Sequence, residues 1–260
     1  MQSEEWARRV GSDYWQAESL RFTAFLTPSA DHGGTTWWRE VVGDEPENTT
    51  TRSRGTEYSA EGSFEAARLV LSLKPRRVDW LLAPSPDPEQ GAGAMATLGP
   101  LAVTLDAFWR AAAKWLGLVT CPPLQRLAFG AVLLHPVSDR GEGYRGLSTY
   151  LPAVQLDPQA SRDFTYQINR PRSHTHDGLH IAVNRLSKWS VAVWRFAAFV
   201  PGSVAPRLVP SRSEFYACRL ELDVNTDADF DGEFTRAQTE PLLHRLLETG
   251  IEIAREGDKP

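Results

Sequence analysis

The chain is poor in cysteine and methionine, with two of each in 260 residues. Cys121 and Cys218 are too far apart in the sequence to predict a disulfide framework or a metal site built on closely spaced thiolates. No apolar run approaches the roughly 18 residues that a membrane-spanning helix requires. The first residues contain neither a basic segment nor an apolar one, so no secretory signal is expected. Together these absences predict a cytoplasmic protein with reduced, buried cysteines and no membrane partner.

Familiar catalytic signatures are also missing. No serine lies in a Gly-x-Ser-x-Gly turn, and no glycine-rich loop ends in Lys-Ser or Lys-Thr. The formal net charge of −5 argues against broad capture of nucleic acid phosphates, which requires a basic surface. Local pairs such as Arg76 with Arg77, or Arg170 with Arg172, leave open a protein that binds single-stranded nucleic acid.

The N-terminal half contains alternating and helical hydrophobic patterns in a recognisable order. A helical pattern predicts a short helix over 36–42 and a longer one over 101–116, while two stretches without periodicity, 43–62 and 85–99, predict long loops, the first of them mobile. Period-two alternation predicts strands over 20–26, 66–73, 78–83 and 127–133. The order strand, helix, strand, strand, helix, strand is that of a ferredoxin-like βαββαβ unit.

The C-terminal half is richer in strands. The stretch 188–199 is apolar on both faces, which is typical of a central strand, and 142–146 is expected to form a turn. Alternation predicts strands over 164–168, 179–183, 188–199 and 215–224, before a terminal helix that starts near Thr239 or Glu240. The chain is therefore predicted to be α+β, with a mainly antiparallel sheet and helices on one face. It forms a single domain over 1–260, or two fused sub-domains over 1–140 and 141–260.

An acidic segment near the C-terminus resembles half of a calcium loop. Asp227, Asp229 and Asp231 occupy alternating positions and are closed by a glycine, as the first half of a calcium loop requires. However, Gln238 stands where such a loop needs a bidentate carboxylate. Thr235 and Gln238 also match a helix capping box. Two interpretations remain open: a divalent cation site, and a solvated acidic turn before the last helix.

Half of the six histidines lie within seven residues. His174, His176 and His180, with Asp177 among them, offer ligands suited to zinc or another transition metal. Their spacing matches no hydrolase signature, and a polar hairpin loop is the alternative. A metal-dependent hydrolase or nuclease would require this segment to meet the segment from Asp227 to Asp231, with calcium or zinc as the bound ion. No other cofactor is expected.

The nine tryptophans favour a large core or a buried contact surface. Trp37 and Trp38 are adjacent in one short helix, so we expect at least one of them to be exposed. An exposed tryptophan beside a polar loop favours binding to a partner protein.

Several motifs in this order resemble those of a known group of proteins. The motifs are Val78-Asp-Trp-Leu-Leu82, Leu105-Asp-Ala-Phe-Trp109, Pro123-Leu-Gln-Arg-Leu-Ala-Phe-Gly130 and Leu220-Glu-Leu-Asp-Val224. Over roughly 65–255 the chain resembles a sporadically distributed family of uncharacterised bacterial α+β proteins of about this length. The resemblance implies an α+β fold and a sporadic occurrence that fits accessory or defence-associated genes. It implies no catalytic residues.

The leading hypothesis from sequence is a non-enzymatic accessory or assembly protein of a bacterial multi-protein system, with antiviral defence as one setting. It would bind another protein subunit through an aromatic surface and the two long loops. The alternatives are the metal-dependent hydrolase or nuclease and the protein that binds single-stranded nucleic acid.

Overall fold

The computed structural model describes residues 14–28, 34–52, 56–85, 95–176, 178–200 and 207–259, with backbone only for 176, 196–200 and 207–213. In this part of the chain the strands are β1 (Gln16–Leu26), β2 (Asn48–Arg52), β3 (Glu57–Phe64), β4 (Ala67–Lys74), β5 (Arg77–Pro84), β6 (Leu124–Val137), β7 (Thr165–Asn169), β8 (Arg172–His176), β9 (Leu179–Val200) and β10 (Arg207–Thr226). The helices are α1 (Trp37–Val42), α2 (Leu101–Leu116), α3 (Arg140–Tyr150) and α4 (Arg236–Glu256), with a 3-10 turn, Gly34–Thr36, before α1.

All ten strands join one antiparallel sheet in the order β2-β3-β4-β5-β1-β6-β10-β9-β7, and β8 also pairs with β9. Four neighbouring strands of this sheet, in the order β4-β5-β1-β6, belong to two βαβ units. The first unit consists of β1, α1 and β4, with β5 between its two strands. The second consists of β5, α2 and β6, with β1 between its two strands. This double split βαβ arrangement is the ferredoxin-like unit. The predicted α+β class, the antiparallel sheet and the C-terminal helix are confirmed. The pairing of β6 with β10 continues the sheet into the C-terminal half.

The segment 43–62 is not the mobile loop predicted from its composition. It contains β2 and the start of β3, which form a hairpin between α1 and β4 and extend the sheet at one edge. All five residues of β2 are exposed, so the strand has no buried face. The prediction failed because a strand that is polar on both faces has no hydrophobic alternation. Of the second predicted loop, 85–99, residues 86–94 lie outside the described part.

The helices cover one face of the sheet, and α1 buries both of its tryptophans. Trp37 and Trp38 are each only 1% exposed, so the expectation that one of them is exposed is wrong. Trp37 packs against Trp115 of α2 with ring centroids 5.4 Å apart, and Trp38 stacks on Trp80 of β5 at 6.4 Å. A short helix held between another helix and the sheet can bury two neighbouring side chains, because each faces a different element. Neither tryptophan offers a partner any surface.

Residues 142–146 belong to α3 and not to the predicted turn. The side chain of Asp139 caps this helix by accepting a hydrogen bond from the backbone N–H of Glu142 at 2.8 Å. Gly143 allows the helix to approach the sheet, since a Cβ there would lie 2.9 Å from the side chain of Val191. The Asp-x-x-Glu spacing was the signal in the sequence for this helix.

Two predicted strands, 179–183 and 188–199, are parts of the single long strand β9. It is paired on both sides, with β10 and with β7 and β8, as a central strand is. However, of residues 188–195 only Trp189 is buried, so the prediction that both faces are buried is wrong. The helix-side face of β9 contains Val183 and Trp189, both fully buried. Lys188 lies on the opposite face, which no helix covers, and pairs with Glu221 at 3.1 Å. No helix in the described ranges is long and apolar enough to span a membrane.

Candidate functional site

A cleft lies between α4 and the β8–β9 hairpin. Its volume is about 710 Å³, within the range of about 300–1,000 Å³ that is typical of small-molecule sites. The lining residues are Trp109 from α2, His174, Thr175, Leu179 and Ile181 from the hairpin, and Arg236, Ala237, Gln238, Glu240, Pro241, Leu242, His244, Arg245 and Glu248 from α4. Apolar side chains and hydrogen-bonding groups thus face the same space.

The start of α4 fixes one wall of this cleft. The helix begins at Arg236, three residues earlier than predicted, and the predicted capping box is confirmed: Gln238 Oε1 accepts a hydrogen bond from the Thr235 backbone N–H at 3.0 Å. Pro241 therefore lies inside the helix. Proline has no N–H, so the carbonyl of Ala237 lacks the bond that residue 241 normally donates. Both residues line the cleft.

His174 projects from β8 towards α4 and bonds to it. Arg245 Nε donates to His174 Nε2 at 3.3 Å, which requires a neutral imidazole ring with its proton on Nδ1. Burial lowers the pKa of His174, and the guanidinium groups of Arg245 and Arg172 lower it further. Glu248 accepts from Arg245 Nη1 at 3.4 Å, one turn along the helix. The hairpin and the helix are thus joined by a polar chain at one end of the cleft.

An aromatic contact forms the floor. Trp109 is 4% exposed, and its ring meets the His244 ring edge to face, with centroids 5.4 Å apart. The His244 ring lies between the floor and the rim, and its Nδ1 is 3.7 Å from Glu248 Oε1. Ile181 and Leu242 add apolar side chains to the lining of the cleft.

The acidic segment lies beside the start of β9. The Asp227 backbone N–H donates to the carbonyl of Ala182 at 2.9 Å, and Asp227 Oδ1 accepts from the backbone N–H of Asp229 at 3.1 Å. The first carboxylate therefore stabilises its own turn, while Asp229 and Asp231 are exposed to solvent. The segment forms a bend between β10 and α4.

The predicted histidine cluster is divided between the strands and faces of a hairpin. His174 and His176 lie on β8 and His180 lies on β9. His180 Nδ1 is 2.8 Å from Thr175 Oγ1 on the exposed side, whereas His174 faces α4. The His176 side chain and Asp177 lie outside the described residues. Among the groups that are described, no set of three or more His, Cys, Asp or Glu side chains is arranged to hold a metal ion.

Paired charges occupy the open face of the sheet, where nucleic acid binding was considered. Glu221 accepts from both Lys188 and Arg219, and Arg219 also lies 3.5 Å from Glu18. Phe25 lies between the guanidinium groups of Arg77 and Arg126, 5.7 and 5.0 Å from its ring centroid. Binding of single-stranded nucleic acid stays a prediction.

The cysteines are poor candidates for catalysis. Burial raises the pKa of both Cys121 and Cys218 to about 12, so neither is a thiolate at neutral pH. Cys218 Sγ instead donates to the carbonyl of Gly143 at 3.3 Å, beneath α3.

Sequence reasoning found one cleft residue, His174, and missed those contributed by α4 and α2. The polar face of α4, with His244, Arg245 and Glu248, was visible at helical spacing. Nothing in the sequence showed that this face lies opposite the β8–β9 hairpin, because that contact joins segments about 70 residues apart. No model of a known protein family matches the chain, and no curated protein matches its sequence.

Proposed function

We propose that this protein binds a small, ring-bearing molecule in the cleft between α4 and the β8–β9 hairpin. The observation that carries this proposal is the convergence of an aromatic floor and a polar chain on one space of about 710 Å³. The His244 side chain is 35% exposed and offers a ring surface for stacking, and the buried Trp109 ring supports it edge to face. Arg245 and Gln238 supply the few directional groups that fix orientation in such sites.

The charges of the lining narrow the class of ligand. Arg236 and Arg245 are balanced by Glu240 and Glu248, and His174 is neutral. The site therefore suits a ligand that is neutral overall and has both hydrogen-bond donors and acceptors around a flat ring.

Nuclear magnetic resonance of the tryptophan indole groups tests this proposal. Adenosine, indole and benzamide, titrated separately into the full-length ¹⁵N-labelled protein, serve as neutral ring probes. We expect at least one of them to shift the Trp109 Nε1–H signal saturably, with that signal assigned by Trp109→Phe. Absence of any saturable shift at Trp109 with all three probes would contradict the proposal.

A variant that fills the cleft gives the matched control. Ala237→Phe places a ring at the exposed start of α4, in the space that the ligand would occupy, and should abolish the shift. Val103→Phe adds the same ring on the solvent side of α2, where Val103 is 70% exposed, and should leave the shift unchanged.

Binding to a partner protein is a second candidate, favoured by the edge of the sheet. In the described part of the chain β2 pairs with β3 alone, and its sequence Asn-Thr-Thr-Thr-Arg contains neither proline nor lysine, residues that commonly protect edges from pairing. A strand of the expected protein subunit can add to this edge by main-chain hydrogen bonds. In this proposal the β2–β3 hairpin takes the role expected of the first long loop.

Lysines at the β2 edge test this second candidate. The double variant Thr49→Lys, Thr51→Lys should no longer bind a partner that the wild-type chain binds in its native host. Strand addition at this edge would have to remove the two lysine charges from water. Thr165→Lys, on the opposite edge strand β7, should retain it. A partner that the β2 variant retains equally well would rule out this edge as the binding site.

A further inference from the structure

The open face of the sheet contains another cleft, with a volume of about 420 Å³. Its lining includes four charged side chains, Arg21, Lys188, Glu221 and Asp223. Two of them compensate each other, because Lys188 Nζ lies 3.1 Å from Glu221 Oε1. The other two, Arg21 and Asp223, form no ion pair with any residue that the structure describes.

Arg21 is an exposed arginine without a counterion. It lies on β1, in the middle of the sheet, and its side chain has no hydrogen-bond partner in the described part of the chain. Gly130 of β6 is its neighbour in register, and a Cβ at Gly130 would lie 3.5 Å from both Nε and Nη2 of Arg21. The guanidinium group therefore extends from β1 towards β6, over the glycine.

Asp223 lies on the other side of the same glycine. Gly130 is opposite Arg21 on β1 and opposite Asp223 on β10, so the three residues form one row across the sheet. Asp223 Oδ1 accepts a hydrogen bond from the Asn225 side-chain amide at 2.9 Å. Neighbouring strands are about 4.8 Å apart, which places the Arg21 and Asp223 backbones about 10 Å apart. Gly130 adds no side chain between the two charged groups.

These two opposite charges favour a ligand that carries both signs. A guanidinium group presents parallel N–H donors that match a carboxylate, and the Asp223 carboxylate matches an ammonium group. A phosphate group alone would instead be repelled by Asp223. The lining also contains the apolar side chains Leu81, Val132 and Leu186. Val132 lies two residues from Gly130 along β6 and therefore on the same face.

We propose that Arg21 and Asp223 bind the carboxylate and the ammonium group of a free α-amino acid, whose apolar side chain packs against Val132. The lining of this cleft shares no residue with the cleft between α4 and the β8–β9 hairpin. The site therefore goes beyond the proposed function and does not depend on it.

Isothermal titration calorimetry of the full-length protein tests the site with L-leucine and two analogues that each lack one charge. Isocaproate lacks the ammonium group, and isoamylamine lacks the carboxylate. We expect L-leucine to bind saturably and each analogue to bind at least about tenfold more weakly, because each loses one charge-assisted contact. The proposal is overturned if L-leucine does not bind, or if either analogue binds as tightly as L-leucine.

Two variants connect this selectivity to the residues of the cleft. Arg21→Met keeps the length of an exposed side chain and removes its donors, so it should weaken L-leucine binding about tenfold or more. Asp223→Asn removes the charge and keeps an oxygen that can accept from Asn225, and it should bind L-leucine no better than the wild type binds isocaproate. Either variant binding L-leucine as tightly as the wild type would also overturn the proposal.

Matched variants outside the cleft give the controls. Arg195→Met removes an arginine that is 69% exposed on β9, and Asp229→Asn removes an exposed carboxylate from the bend before α4. Both should bind L-leucine like the wild type. Losses in these controls as large as those in the cleft variants would show that the overall charge of the protein, and not this site, determines binding.

Discussion

The helix-covered face of the sheet differs in character from one end to the other. Beneath α1 and α2 it is filled by large apolar rings, namely Phe22, Trp37, Trp38, Trp80, Phe108 and Trp115. Beneath the C-terminal half of α4 it contains Arg185, Ser187 and a network of ion pairs. Rings of this kind stabilise a fold by removing apolar surface from water. Buried ion pairs stabilise a fold less than well-packed rings of similar volume do, because their charges must be removed from water.

Removing a ring from the aromatic end should have the largest effect. Trp115→Ala should lower the free energy of unfolding by about 3–5 kcal/mol, because Trp115 is fully buried between Phe22 and Trp37. Urea denaturation measures this change. Val119→Ala is the control, since Val119 is 89% exposed, and should change stability by less than about 0.5 kcal/mol. A cost for Trp115→Ala no larger than that of the control would remove the contrast between the two ends.

Breaking the Asp258 network should have an intermediate effect that depends on pH. Hydrogen bonds from Arg170 and then Tyr166 hold the pKa of Asp258 below its ordinary value of 3.8, despite burial. A lowered carboxyl pKa stabilises the fold at pH values above 3.8, and this contribution is lost as the pH falls through the folded-state pKa. Asp258→Asn should therefore cost about 1.5–3 kcal/mol at neutral pH and progressively less in acid.

Urea denaturation of the wild type and Asp258→Asn across this acid range is the appropriate comparison. The two proteins should converge in stability as the pH is lowered. A difference that stays constant from neutral pH into acid would show that the carboxylate charge is not what stabilises the network.

Removing the buried charge itself should have a small effect. Arg185→Met should change the free energy of unfolding by less than about 1 kcal/mol in either direction, because the lost ion pair is offset by relief of two unsatisfied donors. Chemical denaturation of Arg185→Met and of Trp115→Ala under the same conditions compares the free energies of unfolding at the two ends of the sheet. A loss of 3 kcal/mol or more would mean that Arg185 is retained for folding.

The smallest expected effect concerns His174. Its pKa is lowered first by burial and then by Arg245 and Arg172. Because the pKa of His174 is lowered in the folded protein, the unfolded chain binds the proton more readily. The stability associated with the neutral His174 ring is therefore present at pH values above 6.5 and is lost as the pH falls below 6.5. Imidazole resonances should show His174 titrating below the ordinary histidine value of 6.5. Titration of His174 above 6.5 would contradict the neutral ring that accepts from Arg245.

The sequence predicted those parts of the structure in which local pattern and burial agree. The alternation of Leu20, Phe22 and Ala24 and the helical stripe around Trp115 located β1 and α2. The capping box of Thr235 and Gln238 was also correct, because capping depends on neighbouring residues. β1 and α2 belong to the ferredoxin-like unit, and the capping box starts α4.

Features that depend on contacts distant in sequence were not predictable in the same way. β2 has no buried face, so no periodicity revealed it, and Trp37 and Trp38 are buried by elements on opposite sides of α1. Arg185 and Ser187 occupy the buried alternating positions between the apolar residues Val183 and Trp189, which was a local sign of the charged region. The pairing of Arg185 with Glu252 of α4 joins segments 67 residues apart.

The indole resonances of Trp109 and Trp115 give the most direct test of the ligand cleft. Both tryptophans lie on α2, but only Trp109 lines the cleft, while Trp115 is fully buried in the aromatic end. Titration with adenosine, indole or benzamide should shift the Trp109 signal and leave Trp115 unchanged, and Ala237→Phe should abolish the shift. Equal shifts at both tryptophans, or none at Trp109, would contradict a binding site between α4 and the β8–β9 hairpin.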